Sequence, residues 1–185
     1  GTTTATFTAT LSAASAGSVS VDYATSDGTA TSGGFSSSGA IAVPGVGTSG
    51  TATPYPSPIS VTGATGTIQS LTVRLNSMSH TYPKDLDIVI VGPGGQKVML
   101  MSDAGGGADI SGVTLSFEDG ATALTTGQIV AGTYAPTDFS PGETLPNPAP
   151  AGPYGTALSV FNGTDPNGTW NLYVNDDEGF DSGSI

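Results

Sequence analysis

The chain has 185 residues, with 28 glycines and 13 prolines, and only 10% of its residues are charged; this composition disfavours helices and predicts an all-β protein. Fifteen acidic residues face three basic ones, for a formal charge of −12, which excludes binders of nucleic acids or anionic membranes because both need a basic surface. Cysteine is absent, which excludes disulfides, thiolate metal sites and cysteine nucleophiles, and no apolar run is long enough to span a bilayer.

The N-terminal segment predicts two short strands, at residues 5–11 and 19–23, joined as a β-hairpin. Apolar residues alternate in each and share one face (Phe7, Ala9, Leu11; Val19, Val21, Tyr23). The stretch VDYATSDGTAT at 21–31 resembles part of a Calx-β repeat, a module of surface proteins. The resemblance covers about a third of such a repeat. We therefore interpret residues 1–35 as a strand extension, of which about 1–34 form the partial Calx-β-like segment.

Residues 36–58 are rich in serine, glycine and proline, and we interpret them as a linker to the main domain. From residue 59 onward, short β patterns alternate with glycine-rich turns, which predicts about eight antiparallel strands in a jelly roll or β-sandwich over 59–185. The candidate strands are 59–61, 68–75, 86–91, 97–101, 113–117, 129–134, 157–161 and 169–174.

Four stretches of this domain carry a resemblance to a known family. They are LNSMSHTYPKDLDI at 75–88, VGPGG at 91–95, VMLMSD at 98–103 and NGTWNLYVND at 167–176. In this order they resemble the P domain (P/Homo B) of the proprotein-convertase type, which follows the catalytic domain of kexin- and subtilisin-like proteases and also occurs in large bacterial surface proteins. The resemblance implies a catalytically inert jelly roll.

Family members continue past the position of Ile185 into a closing strand, so the resemblance also implies an open sheet edge. The N-terminal hairpin of a neighbouring chain can fill such an edge by β-strand addition. A head-to-tail contact of this kind does not close on itself and builds filaments. The alternatives are a hairpin that packs on its own domain and a chain cut short at both ends.

All acidic residues except Asp22 and Asp27 lie at or after Asp85, and most gather in turns. Turn carboxylates beside glycine offer the oxygen ligands that Ca²⁺ prefers, and P domains of bacterial type can bind Ca²⁺. The candidate metal ligands are Asp85, Asp87, Asp103, Asp109, Asp176, Asp177 and Asp181. The alternative is that each aspartate only caps its own turn.

No catalytic constellation is recognisable. The single histidine, His80, has no nucleophile in a known motif beside it, and we expect it to make a structural hydrogen bond. Clustered carboxylates in turns do not suit a glycosidase, which needs two acids across a cleft. Three tyrosines near turns, Tyr82, Tyr134 and Tyr154, would allow a carbohydrate-binding surface.

The sequence therefore predicts a non-catalytic structural or adhesive module of a secreted or cell-surface protein, bacterial or archaeal. In this prediction the module self-assembles into a filament or surface layer, lies beside other domains of a larger protein, and is rigidified by calcium. The first alternative is the accessory P domain of a secreted subtilisin- or kexin-like protease. The second is a carbohydrate-binding module.

Overall fold

A computed structural model describes residues 34–185. The predicted hairpin at 5–11 and 19–23 and the Calx-β-like stretch lie outside the described residues. Among the described residues, no helix has the length and apolarity needed to cross a membrane. The elements are β1 (Gly50–Thr51), β2 (Ser57–Val61), β3 (Val73–His80), a 3-10 helix (Pro83–Asp85), β4 (Leu86–Val91), β5 (Lys97–Ser102), β6 (Ile110–Phe117), β7 (Gly132–Tyr134), β8 (Thr137–Asp138), a second 3-10 helix (Leu158–Phe161), β9 (Gly168–Asp176) and β10 (Gly183–Ser184).

The strands form two sheets, which confirms the predicted all-β sandwich. The first sheet has the order β1-β9-β4-β5-β8, with β2 also paired to β9, and the second has the order β10-β3-β6-β7. The strands are not all antiparallel as predicted, because β8 pairs parallel to β5 and β7 parallel to β6. Only Ala135 and Pro136 separate β7 from β8, so this one segment crosses from the edge of one sheet to the edge of the other.

The central strand β4 shows how the sequence places the cores. Leu86, Ile88 and Ile90 point between the sheets into the main core, where they meet residues such as Phe117 and Trp170. Asp87, Val89 and Val91 alternate with them and point to the outer face of the first sheet. That outer face is also covered, which is why every residue of β4 is buried.

Residues 157–161, predicted as a strand, instead contain the 3-10 helix Leu158–Phe161. Leu158 and Phe161 are both buried and stand three residues apart, which matches the three-residue turn of a 3-10 helix. The carboxylate of Asp119 accepts hydrogen bonds from the N–H groups of Leu158 and Ser159 at 2.8 and 2.7 Å. A distant acceptor therefore fixes the start of this helix.

The segment assigned to a linker, 36–58, contributes to the sandwich. Ile41, Val43 and Ala52 are buried in the main core, and β1 and β2 pair with β9. The composition of this segment concealed the apolar residues that anchor it.

The predicted open edge is also partly closed, by residues 41–43 of the same chain. Strand β10 pairs with the end of β3, and Ile41 exchanges two backbone hydrogen bonds with Ile185, at 2.8 and 3.0 Å. Ala42 bridges both Ser184 and Thr53, so residues 41–43 connect the two sheets. The expectation of an open edge is therefore wrong at β10.

Candidate metal centre

The candidate centre lies on the outer face of the first sheet, under residues 139–156. These residues run across the sheet and cover a second small core, in which Leu145 and Ala149 pack on Val89, Val91 and Tyr173. The cover is hydrogen-bonded to the body of the protein: the Tyr55 hydroxyl donates to the Pro146 carbonyl at 2.9 Å. Asp87, at one end of this covered face, is withdrawn from solvent.

Three carboxylates meet at that end of the covered face. Asp87 comes from β4, Glu143 from the covering residues and Asp177 from the residue after β9, and one oxygen of each lies within 4.8 Å of the others. Asp87 is buried, Glu143 half-buried and Asp177 exposed. The hydroxyl of Ser102, at the end of β5, donates to Glu143 at 3.0 Å. The group therefore joins three strand ends to the covering segment.

Asn175 adds a fourth oxygen on the same face. It stands directly opposite Asp87 in the antiparallel pair β4–β9, where side chains of facing residues lie close together. Asn175 is 8% exposed, and its Oδ1 atom is buried with no hydrogen-bond partner among residues 34–185. This buried acceptor opposite Asp87 therefore receives no hydrogen bond from residues 34–185, as expected of a cation ligand before the cation binds.

Burial and mutual repulsion raise the pKa values of this group. Burial raises the pKa of Asp87 to about 8, and the neighbouring Glu143 adds to the effect. Burial raises the pKa of Asp177 as well, with further contributions from Glu143 and Asp103. No lysine or arginine lies within 4 Å of the three carboxylates among the described residues, so a bound cation would relieve this repulsion.

A second acidic group lies nearby, around Asp85. Burial raises the pKa of Asp85 to about 6, and the charges of Asp177, Asp181 and Asp176 act in the same direction. Asp181 accepts a hydrogen bond from the Thr81 hydroxyl at 3.0 Å. An open cavity of about 480 Å³ borders Asp85 and Asp181.

His80 and Asp176 form a buried contact between the two sheets. The Nδ1 atom of His80 accepts the N–H of Tyr82 at 3.2 Å, so its Nε2 atom carries the ring hydrogen and faces Asp176 Oδ2 at 3.5 Å. Both side chains are fully buried, and burial raises the pKa of Asp176. His80 therefore contacts a carboxylate in the interior of the sandwich.

The structure thus places the predicted metal ligands at several separate positions. Asp87 and Asp177 meet in the three-carboxylate group, whereas Asp85, Asp176 and Asp181 lie around the second acidic group. Asp103 pairs with Lys84, with Asp103 Oδ1 and Lys84 Nζ 3.5 Å apart. Asp109 is exposed and belongs to neither group.

Sequence reasoning missed Glu143 and Asn175. Glu143 stands in a proline-rich stretch without a strand pattern, and only the fold brings it back over β4. Asn175 does have a sequence signal, because it alternates with Val174 and Asp176 at the end of a strand and therefore shares a face with Tyr173.

The three tyrosines considered for carbohydrate binding do not gather into one surface. Tyr134 lies on β7 of the second sheet, and its hydroxyl donates to the Val130 carbonyl at 3.0 Å. Tyr154 packs on the second core of the first sheet, with Lys97 5.6 Å from its ring centre. Tyr82 precedes the first 3-10 helix and is 39% exposed.

No protein-family model, curated protein or solved structure matches this chain. The resemblances to a P domain and to a Calx-β repeat therefore stay predictions that depend on the quoted motifs alone.

Proposed function

We propose that the chain is a non-catalytic structural module of a secreted or cell-surface protein, rigidified by a calcium ion at Asp87, Glu143 and Asp177. The observation that carries this proposal is the convergence of these three carboxylates within 4.8 Å. Asn175, whose Oδ1 atom has no hydrogen-bond partner within residues 34–185, stands opposite Asp87 in the neighbouring strand. Carboxylates that lack a basic partner repel one another, and a divalent cation removes that repulsion.

Calcium suits the group better than magnesium. Ca²⁺ accepts six to eight oxygens in irregular geometry, whereas Mg²⁺ demands a near-ideal octahedron. Here the carboxylates come from a strand, a covering segment and a residue beyond a strand end, with the Asn175 carbonyl beside them. Extracellular calcium modules bind calcium with Kd values of about 0.1–1 mM, and we expect an affinity in this range here.

The structural role follows from what the cation would connect. Glu143 belongs to the cover of residues 139–156, while Asp87 and Asp177 belong to the sheet below. A cation shared by them would fasten the cover onto Val89, Val91 and Tyr173. Ligand binding to the folded state alone stabilises that state by mass action.

One feature of the site supports a non-catalytic role. The only histidine of the chain contacts Asp176 in the interior, whereas a general base must lie within reach of its substrate.

Thermal unfolding with and without calcium tests the proposal. At a calcium concentration about a hundred times the Kd, the stabilisation is about 2.7 kcal/mol, or roughly 5–10 °C in Tm for a chain of this size. Glu143→Gln should abolish most of this shift, because it removes a charged ligand from the cover. The matched control is Glu118→Gln, an exposed carboxylate at the other side of the fold. An equal Tm in calcium and in chelator would refute the calcium site.

A further inference from the structure

The open cavity of about 480 Å³ beside the second acidic group lies between the first 3-10 helix and residues 177–182. Its walls combine acidic, aromatic and basic side chains: Tyr82, Lys84, Asp85, Glu178, Phe180 and Asp181. None of these residues belongs to the three-carboxylate group of the candidate metal centre. We call this cavity the end cavity.

The chain fixes both walls of the end cavity. The Thr81 hydroxyl donates to Asp181 Oδ1 at 3.0 Å and accepts the N–H of Ser182 at 3.1 Å, which fastens residues 177–182. On the opposite wall, the Tyr82 ring packs on the backbone of Gly107, where a Cβ atom would come within 2.5 Å of Tyr82 Cε2. The cavity is therefore preformed, as most small-ligand sites are.

The carboxylates on these walls lack a compensating cation. Asp85 is only 8% exposed, yet it borders the cavity and has no hydrogen-bond donor partner among residues 34–185. No basic side chain lies within 4 Å of Asp85, Glu178 or Asp181 in the same part of the chain. A buried carboxylate without a partner is costly to ionise, so a bound cation would stabilise this wall.

The basic residue on the walls is already engaged. Lys84 Nζ lies 3.5 Å from Asp103 Oδ1, and the charge of Asp103 is the main cause that raises the pKa of Lys84. Lys84 therefore neutralises Asp103, which does not border the end cavity.

The arrangement of the end cavity suits an organic cation better than a metal ion. Within residues 34–185, the group that brings three acidic ligand atoms within 4.8 Å of one another is the one at Asp87, so the acids of the end cavity are too dispersed to enclose a small ion. Phe180 is 80% exposed and Tyr82 39% exposed. Aromatic rings attract cations through their quadrupole and recognise alkylated ammonium groups in this way.

We propose that the end cavity binds an alkylammonium group, with Asp85, Glu178 and Asp181 supplying the opposite charge and Tyr82 and Phe180 the aromatic contacts. Two sources carry such a group: a small quaternary ammonium compound and a lysine side chain of a partner. The formal charge of −12 favours the approach of either cation. This binding activity goes beyond the proposed structural role and does not depend on it.

Titration of the full chain in chelator at pH 8, followed by NMR of the backbone amides, tests the proposal. Choline is the probe for a quaternary ammonium ligand, n-butylammonium is the probe for a lysine side chain, and 3,3-dimethyl-1-butanol has the shape of choline without its charge. At least one of the cations should shift the amide signals of residues 177–182 saturably, at millimolar concentrations. The neutral probe should bind at least about tenfold more weakly. The tighter cation identifies the source of the ammonium group.

Matched variants locate the binding. Phe180→Ala should weaken the tighter cation about three- to fivefold, and Asp85→Asn should weaken it at least as much because it removes a charge from the wall. The controls are Phe139→Ala, an aromatic residue that is 44% exposed outside the cavity, and Asp109→Asn, an exposed acid outside it. The dispersion of the amide spectrum shows in the same experiment whether each variant is folded.

Three results would overturn the proposal: no saturable shift with either cation at tens of millimolar, equal binding of the neutral probe, or equal effects of the variants and their controls. A repeat in millimolar calcium separates the end cavity from the metal centre. Because the two share no residue, calcium should weaken the cation by less than about threefold. Competitive displacement by calcium would show that the end cavity takes a metal ion and would also overturn the proposal, whereas a lack of calcium binding at Asp87 would leave it standing.

Discussion

At the scale of single residues, burial decides which acidic side chains matter. Asp87 alternates with Leu86 and Ile88 on β4, so it points away from the main core, yet the covering residues leave it only 6% exposed. Desolvation disfavours its charged form. Asp109 has the same chemistry in an exposed turn, and nothing in the fold gathers other acids around it.

This burial predicts an unusual pH dependence of the metal-free protein. The folded-state pKa of Asp87 is raised to about 8 and that of Asp85 to about 6, while unfolded aspartates titrate near 3.9. The folded state therefore holds protons more tightly, and the resulting stability is present at low pH and lost as the pH rises through 6 to 8. In chelator, we expect the free energy of unfolding to fall by at least about 1 kcal/mol between pH 5 and pH 8.

Urea denaturation at several pH values measures this slope. Asp87→Asn should flatten it, since the amide does not titrate, and saturating calcium should flatten it by stabilising the ionised carboxylates. A metal-free protein that becomes more stable from pH 5 to pH 8 would contradict the burial of these carboxyl groups.

At the scale of elements, the local sequence pattern determines some strands, whereas contacts with distant residues determine other elements. The alternating and continuous apolar patterns correctly predict strands at 86–91, 97–101 and 169–174. The same reasoning is wrong at Leu158–Phe161, because a pair of apolar residues three apart also fits a 3-10 turn, and the acceptor that selects the turn is Asp119, far away in sequence.

The role of Asp119 can be measured. Asp119→Ala removes both hydrogen bonds to the N–H groups of Leu158 and Ser159, and we expect it to cost about 1–2 kcal/mol. The neighbouring Glu118 is exposed and makes no side-chain hydrogen bond among the described residues, so Glu118→Ala is the matched control. Equal losses of stability for the two variants in chemical denaturation would show that Asp119 does not fix the helix.

At the scale of the whole molecule, closure of the sandwich depends on pairings that join distant parts of the chain. Residues 41–43 lie between β10 and Thr53 and connect the sheets, although their neighbours Pro44 and Gly45 favour a linker by composition. The candidate centre has the same character: Glu143 and Asp87 are 56 positions apart and meet only because residues 139–156 fold over the first sheet. Sequence could therefore predict the class of fold and two of the three carboxylates, but not these long-range contacts.

Because residues 41–43 connect the two sheets, we expect truncation of a single buried side chain in this segment to lower the stability of the protein strongly. Ile41 is 5% exposed in the main core, so Ile41→Ala should destabilise the protein by about 2–4 kcal/mol. Val46 lies in the same proline- and glycine-rich segment but is 74% exposed, and Val46→Ala should leave the denaturation midpoint almost unchanged. A comparably small effect of Ile41→Ala would mean that this segment is a free linker.

The most direct test of the calcium-stabilised module is calorimetric titration of the metal-free protein with calcium at pH 8. We predict saturable binding with a Kd between about 0.1 mM and 1 mM, weakened at least about tenfold by Asp87→Asn and unaffected by Glu118→Gln. Absence of saturable heat at millimolar calcium, or binding that survives Asp87→Asn and Glu143→Gln undiminished, would contradict a calcium site at this centre.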